Sequence, residues 1–152
     1  MTSTIGAGSD LIKLYSARIL ELAAEIPHTS RLETPQATAT LRSPLCGSNV
    51  TVDVCVMDGK ISKFAQDVKA CALGQAAASV VGSSIIGATP DQIQQARNEL
   101  KAMLKDGGPV PAAPFQDLEV LSPAKDFKNR HASILLSLDA TLSALDNIKE
   151  EA

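Results

Sequence analysis

The chain has 152 residues, 45% of them hydrophobic but only 3% aromatic, and a formal net charge of −3. One domain spanning 1–152 accommodates that length and buries roughly 70% of its unfolded surface; with no basic run and few rings on which to stack bases, nucleic acid is excluded as a partner. Three cysteines behind a polar opening, Met1 to Asp10, that does not read as a secretory signal point to a reducing, cytoplasmic interior and free thiols, so the cysteines need another purpose than a disulfide framework.

In chain order, Ser9 or Asp10 can cap a first helix in which Leu11, Leu14, Tyr15, Leu22 and Ile26 recur at helical spacing, ended by Pro27. His28 to Thr38 is polar and reads as a loop, with His28 a loop residue. A sheet begins near Ala37 to Arg42. Asn49 to Met57 alternates: Val50, Val52, Val54 and Val56 share one face, and Thr51, Asp53, Cys55 and Met57 the other. Asp58-Gly59 supplies the two positive-φ positions of a tight hairpin, and Lys60 to Val68 returns as the partner strand. Ala70 to Pro90 carries no charge, yet Gln75, Ser79, Ser83, Ser84 and three glycines make it too polar and small-chained for a membrane span. It reads as a central helix whose small residues allow close backbone approach, with Gly87 near its end. Thr89-Pro90-Asp91-Gln92 starts the next helix as cap, first-turn proline, acid and capping-box glutamine; Ile93, Ala96, Leu100, Met103 and Leu104 form its apolar face. Gly107 to Pro114 is a loop, Phe115 to Leu121 a short helix before Pro123, and Asp126 to Lys149 a final helix burying Ile134, Leu135, Leu138, Leu142, Leu145 and Ile148.

The stretch from Ser43 to Gly87 carries the chemistry. Cys46 stands in a Pro/Gly turn where backbone can approach a ligand. Cys71 stands where a strand gives way to a helix, so exposed N–H groups and the helix dipole favour its thiolate. Cys55 reads as a small filler on the more polar sheet face, and Asp53 as a solvated strand residue. His131, in the first turns of the last helix, reads by itself as a residue that caps the helix or hydrogen-bonds in place.

Leu14-Tyr15-Ser16, the loop Leu32-Glu33-Thr34-Pro35-Gln36-Ala37, Ser43-Pro44-Leu45-Cys46-Gly47, the Asp58-Gly59 hairpin, Cys71 before a small-residue helix, and Arg130-His131-Ala132-Ser133-Ile134-Leu135 follow one another as in U-type iron–sulfur scaffolds. Over nearly its whole length the chain resembles the IscU/SufU/NifU-like family. The resemblance implies an α+β fold, a small antiparallel sheet of about three strands packed against helices. It also implies a non-enzymatic scaffold or carrier that holds a transient iron–sulfur cluster, [2Fe-2S] in type, or zinc, through Cys46, Cys71 and His131. Its partners would be a cysteine desulfurase, apo iron–sulfur proteins and a second copy in a homodimer, with no membrane involved.

Two departures matter. The aspartate that the family usually places two residues after its first cysteine is Ser48 here. The third family cysteine is missing, and its position falls on Ala132 or, in the SufU register, on Ser133; neither restores a thiol. The glycine commonly found before the second cysteine is Ala70, and Leu121-Ser122-Pro123-Ala124-Lys125 only faintly matches a chaperone-recognition segment. A cluster normally takes four protein ligands, so its completion from outside, by small thiols or by Cys46 and Cys71 of two chains, is expected. Beside the scaffold stand a zinc-binding or desulfurase-interacting module without full assembly chemistry, and an enzyme using Cys71 as nucleophile with His131 as base; for the enzyme no substrate-pocket signature is present.

Overall fold

The computed structural model describes residues 16–44 and 47–151. Leu11, Leu14, Tyr15 and Cys46 lie outside the described residues. The first described helix, α1 (Ala17–Ala24), has Ser16 as its N-cap, whose Oγ accepts from the Ile19 N–H at 3.3 Å. It stops short of Ile26, at Glu25, whose N–H turns back to the Leu22 carbonyl.

Three antiparallel strands follow, β1 (Ala37–Ser43), β2 (Ser48–Met57) and β3 (Lys60–Lys69), ordered β1-β2-β3. Asp58 and Gly59 both take positive φ, 55° and 76°, as a tight hairpin turn requires. The pairing Ala37↔Val54, Ala39↔Val52, Leu41↔Val50 and Ser43↔Ser48 aligns one face, which β3 extends with Phe64, Gln66 and Val68. That face is covered: Val50, Val52 and Val54 are buried, and α4 (His131–Glu151) packs over β1 and β2. Ser43 and Ser48 continue the same alternation at one end of the sheet, and both are buried.

Asp53 is the clearest correction on the opposite face. It is buried rather than solvated, because the loop before β1 folds across it. Arg31 donates to it through Nε and Nη2 at 2.6 and 2.9 Å, the Leu32 N–H at 3.1 Å and the Thr38 hydroxyl at 2.6 Å. Burial pushes the carboxyl up, but these hydrogen bonds and the Arg31 charge outweigh it, and Asp53 titrates below the usual carboxylate range. Cys55 follows on the same face, half-buried, its thiol 3.7 Å from the Thr34 carbonyl.

The central helix α2 (Ala72–Ser84) is buried from Leu73 to Gly74 and from Ala76 to Gly82, and packs between α1 and α4. Its glycines permit this. A Cβ on Gly74 would lie 2.6 Å from Ser133 Oγ, and one on Gly82 would lie 2.6 Å from Gln66 Nε2 and 3.0 Å from Pro27. Gln66, buried on the sheet, donates to the Ala78 carbonyl at 2.9 Å and accepts from Ser137 at 3.0 Å, tying sheet, α2 and α4 together. α3 (Pro90–Asp106) carries the Thr89/Gln92 capping box and ends on Gly107 at φ 68°. Among the described residues no helix is long and apolar enough to cross a membrane.

Two boundaries depart from expectation. The segment after Phe115 is 3₁₀ and runs past Pro123, from Gln116 to Asp126, with Leu118, Leu121 and Ala124 buried. A second 3₁₀ turn, Lys128–Arg130, then precedes α4, which starts at His131 rather than Asp126. Phe127, at φ −109° and ψ 69°, breaks the helical path between them.

Asp53→Ala should destabilise the fold by roughly 2–3 kcal/mol, since it strips a buried multi-donor site of its acceptor. Because the folded carboxyl is depressed, its contribution is full above the unfolded pKa and vanishes as pH falls through the folded value. Chemical denaturation across an acid series should therefore show the variant losing less stability than the wild type; parallel pH dependences would contradict this.

Candidate functional site

Ser133 is where the two candidate segments meet. Its Oγ is hydrogen-bonded to Ser48 Oγ at 2.9 Å and lies 3.6 Å from Cys71 Sγ. Ser48 and Ser133 are only 2% and 1% exposed, so their hydroxyls depend on each other rather than on solvent. Ser43, paired across the strands with Ser48, is as deeply buried, and its Oγ has no hydrogen-bond partner among the described residues. Its carbonyl accepts from the Gly47 N–H at 2.9 Å, closing the turn in whose sequence Cys46 stands.

Cys71 is the N-cap of α2, with extended backbone at φ −66° and ψ 168°. Burial pushes its thiol up. The Gly74 N–H, the Ser133 hydroxyl, the Leu73 N–H and the Arg130 charge act the other way and leave it below the ordinary cysteine value. The expected link between helix start and thiolate is thus present, with Ser133 added to it.

The two positions on which the missing cysteine could fall differ in their surroundings. Ala132 is exposed, whereas Ser133 is buried against Cys71. Ser133, Ser137 and Thr141 recur every four residues as a buried polar stripe on α4, and that periodicity was the signal that could have placed Ser133 inside. In the same way Ser48 continues the valine alternation inward.

His131 is not brought to this group. Its Nε2 lies 2.9 Å from the Ala124 carbonyl and 3.1 Å from that of Lys125, so this nitrogen serves as a donor to the 3₁₀ segment. The ring lines a separate recess of about 350 Å³ with Lys105, Asp106 and Lys128. His28, at φ 59°, sits in the loop with its ring edge-on to Phe64. Among the described residues no group of three or more His, Cys, Asp or Glu side chains could hold a metal ion. The donors beside Cys71 are hydroxyls, hard and neutral, and poorly matched to the iron of a cluster.

Among solved structures, the N-terminal part of a nitrogen-fixing NifU-like protein from Brucella abortus is 44% identical to this chain, covering 94% of it and 99% of its own length at a TM-score of 0.91. The chain belongs to the NifU-like family. The same fold occurs at 20% identity in a putative SUF-system iron–sulfur cluster assembly scaffold protein from Fervidobacterium islandicum AW-1, covering 88% of this chain and 98% of that one at a TM-score of 0.77. A hypothetical protein, also 20% identical, covers 89% and 98% at 0.79. No family model matches, and no curated protein does. The α+β class and the three-strand antiparallel sheet under helices agree with these neighbours. As a NifU-like chain it carries Ser48 at one position that the family resemblance associates with a ligand, and Ala132 or Ser133 at another, and it bonds Ser48 to Ser133.

Ser133→Ala removes one hydrogen bond to the thiolate and should raise the pH of half-maximal Cys71 alkylation above that of the wild type. Iodoacetamide labelling of Cys71, followed by mass spectrometry across a pH series, reads both values; coincident wild-type and variant profiles would contradict the role given to Ser133.

Proposed function

We propose that this chain is an iron–sulfur assembly scaffold or carrier that receives iron and sulfide as cargo on Cys46 and Cys71 and passes the assembled cluster, [2Fe-2S] in type, to apo-proteins. The observation that carries this reading is the placement of Cys71 at the N-cap of α2, with its thiol lowered and Ser133 against it, in a chain 44% identical to a NifU-like protein. A helix N-terminus favours an anionic sulfur, and an anionic sulfur is what soft metal ions bind. The half-buried setting of Cys71 suits a cargo that must leave again. A cysteine desulfurase is the class of partner that would supply the sulfur. The role is one of holding and handing on, so no group is assigned as a catalyst.

The Ser48–Ser133 hydrogen bond favours a second reading. In it the chain keeps the fold and the partner surfaces but binds zinc or no metal, acting as a desulfurase-interacting module. His131, expected as a ligand with the two cysteines, has its Nε2 engaged by the Ala124 and Lys125 carbonyls, which leaves Nδ1 as the nitrogen that would ligate in either reading.

The test is iron, zinc and acid-labile sulfide content, with an absorption spectrum, on protein purified without oxygen beside Cys46→Ser and Cys71→Ser. Iron and sulfide present in the wild type and reduced at least about tenfold in both variants support the scaffold. Zinc or no metal, unchanged in the variants, would move the assignment to the interaction module.

A further inference from the structure

We propose that the outer face of the sheet, at the end next to Cys71, is a docking surface for an acidic segment of a partner protein, held by Arg42 and Lys69 across Asn49. That the partner brings or takes cargo rests on the function proposed above; the surface itself does not.

Strand register builds the surface. Arg42 pairs with Asn49, and Asn49 with Lys69, so the three residues form one row across all three strands. Their chain neighbours Ser43 and Ser48 are buried on the helix-covered face, and strand alternation therefore puts the row on the opposite face. Arg42 and Lys69 are exposed, and Asn49 is half-buried. Among the described residues neither cation takes part in an ion pair. The loop before β1 covers this face only at its other end, where Arg31 and Leu32 meet Asp53 and the Thr34 carbonyl lies against Cys55. In the next row, Thr40, Thr51 and Asp67, the carboxylate of Asp67 acts on Arg31 and marks where the positive strip stops.

Position gives the row its use. Lys69 stands two residues before Cys71, and Arg42 and Asn49 flank the Ser43–Ser48 pair at the sheet end that is bonded to Ser133. The Arg130 charge reaches Cys71 from the helix side. Positive charge is thus gathered around the start of α2 in a chain whose formal net charge is −3. An acidic partner is steered to that spot against the sign of the whole molecule.

A peptide segment fits this charge better than nucleic acid or a lipid surface. Nucleic-acid binding is built from many phosphate contacts, roughly 6–10 in a typical case, and an anionic membrane is recognised by clusters of about 4–8 basic residues. Two cations in one row supply neither. Neighbouring strands lie about 4.8 Å apart, which separates Arg42 from Lys69 by roughly 10 Å at the backbone. Carboxylates three residues apart in an extended segment span the same distance, and the Asn49 amide between them can donate to and accept from the segment's backbone.

The experiment is a titration of the full chain, without metal, by a short Gly/Ser peptide carrying two glutamates three residues apart, followed by amide NMR. The amides of Arg42, Asn49 and Lys69 should shift on binding, and the peptide with glutamines in place of glutamates should leave them where they are. Arg42→Glu with Lys69→Glu, checked for folding by circular dichroism, should weaken binding by about fivefold or more. Asp67→Asn should strengthen it, as should lower salt. Binding of equal strength in the folded charge-reversed variant, or equal shifts with the glutamine peptide, would overturn the proposal. So would tighter binding, through the same residues, of a single-stranded oligonucleotide or of phosphatidylserine vesicles, which would give the surface to nucleic acid or to a membrane. The titration needs no cargo, so the two readings fail separately. A chain that binds the peptide but takes up no iron or sulfide overturns the cargo reading and keeps the docking surface; one that loads iron and sulfide but does not bind the peptide does the reverse.

Discussion

At Gly74 the backbone of α2 runs so close to α4 that a single added methyl would lie 2.6 Å from Ser133 Oγ and 3.1 Å from the Ser133 carbonyl. This approach puts the start of α2, and therefore Cys71, against α4. The small residues around it, Ala76 to Ala78, let the helix stay buried while its N-terminus reaches the sheet end at Ser48. Cys71 is therefore positioned by a packing contact between two helices and not by the loop in which it begins.

The polar interior follows from the same arrangement. A helix buried between two others and near a sheet brings carbonyls and hydroxyls inside, and each needs a partner. Gln66 serves the Ala78 carbonyl and the Ser137 hydroxyl, Thr141 donates to the Ser137 carbonyl at 2.8 Å, and Ser133 serves Ser48. The stripe Ser133, Ser137, Thr141 is thus a seam along which α4 meets its neighbours, and its first residue has the added neighbour Cys71. On the other face of the sheet the Arg31–Asp53 pair holds down the loop before β1, which fixes the register of β1 through Thr38 and so the strand end at Ser43.

Much of this was legible before the structure. The Val50, Val52, Val54 alternation, the Asp58-Gly59 turn and the Thr89-Gln92 capping box are local signals, each complete within a few residues, and each gave its element. Cys71 as a helix start is equally local. What was missed depends on contacts distant in sequence. Asp53 looked solvated because its partner Arg31 lies 22 residues earlier in a loop with no periodicity. The pairing of Ser48 with Ser133 spans 85 residues. His131 was grouped with the cysteines by motif alone, and its hydrogen bonds back to the 3₁₀ segment could not be read from composition, since that segment runs through a proline that had marked its end.

The central claim is the proposed one, that an iron–sulfur cargo is held through the thiol of Cys71 at the start of α2, beside the Ser48–Ser133 hydroxyl pair. The most direct measurement is iron K-edge X-ray absorption on the anaerobically loaded protein. The account predicts iron with sulfur in its first shell, lost in Cys71→Ser. A first shell of nitrogen or oxygen only, unchanged in Cys71→Ser, would contradict it.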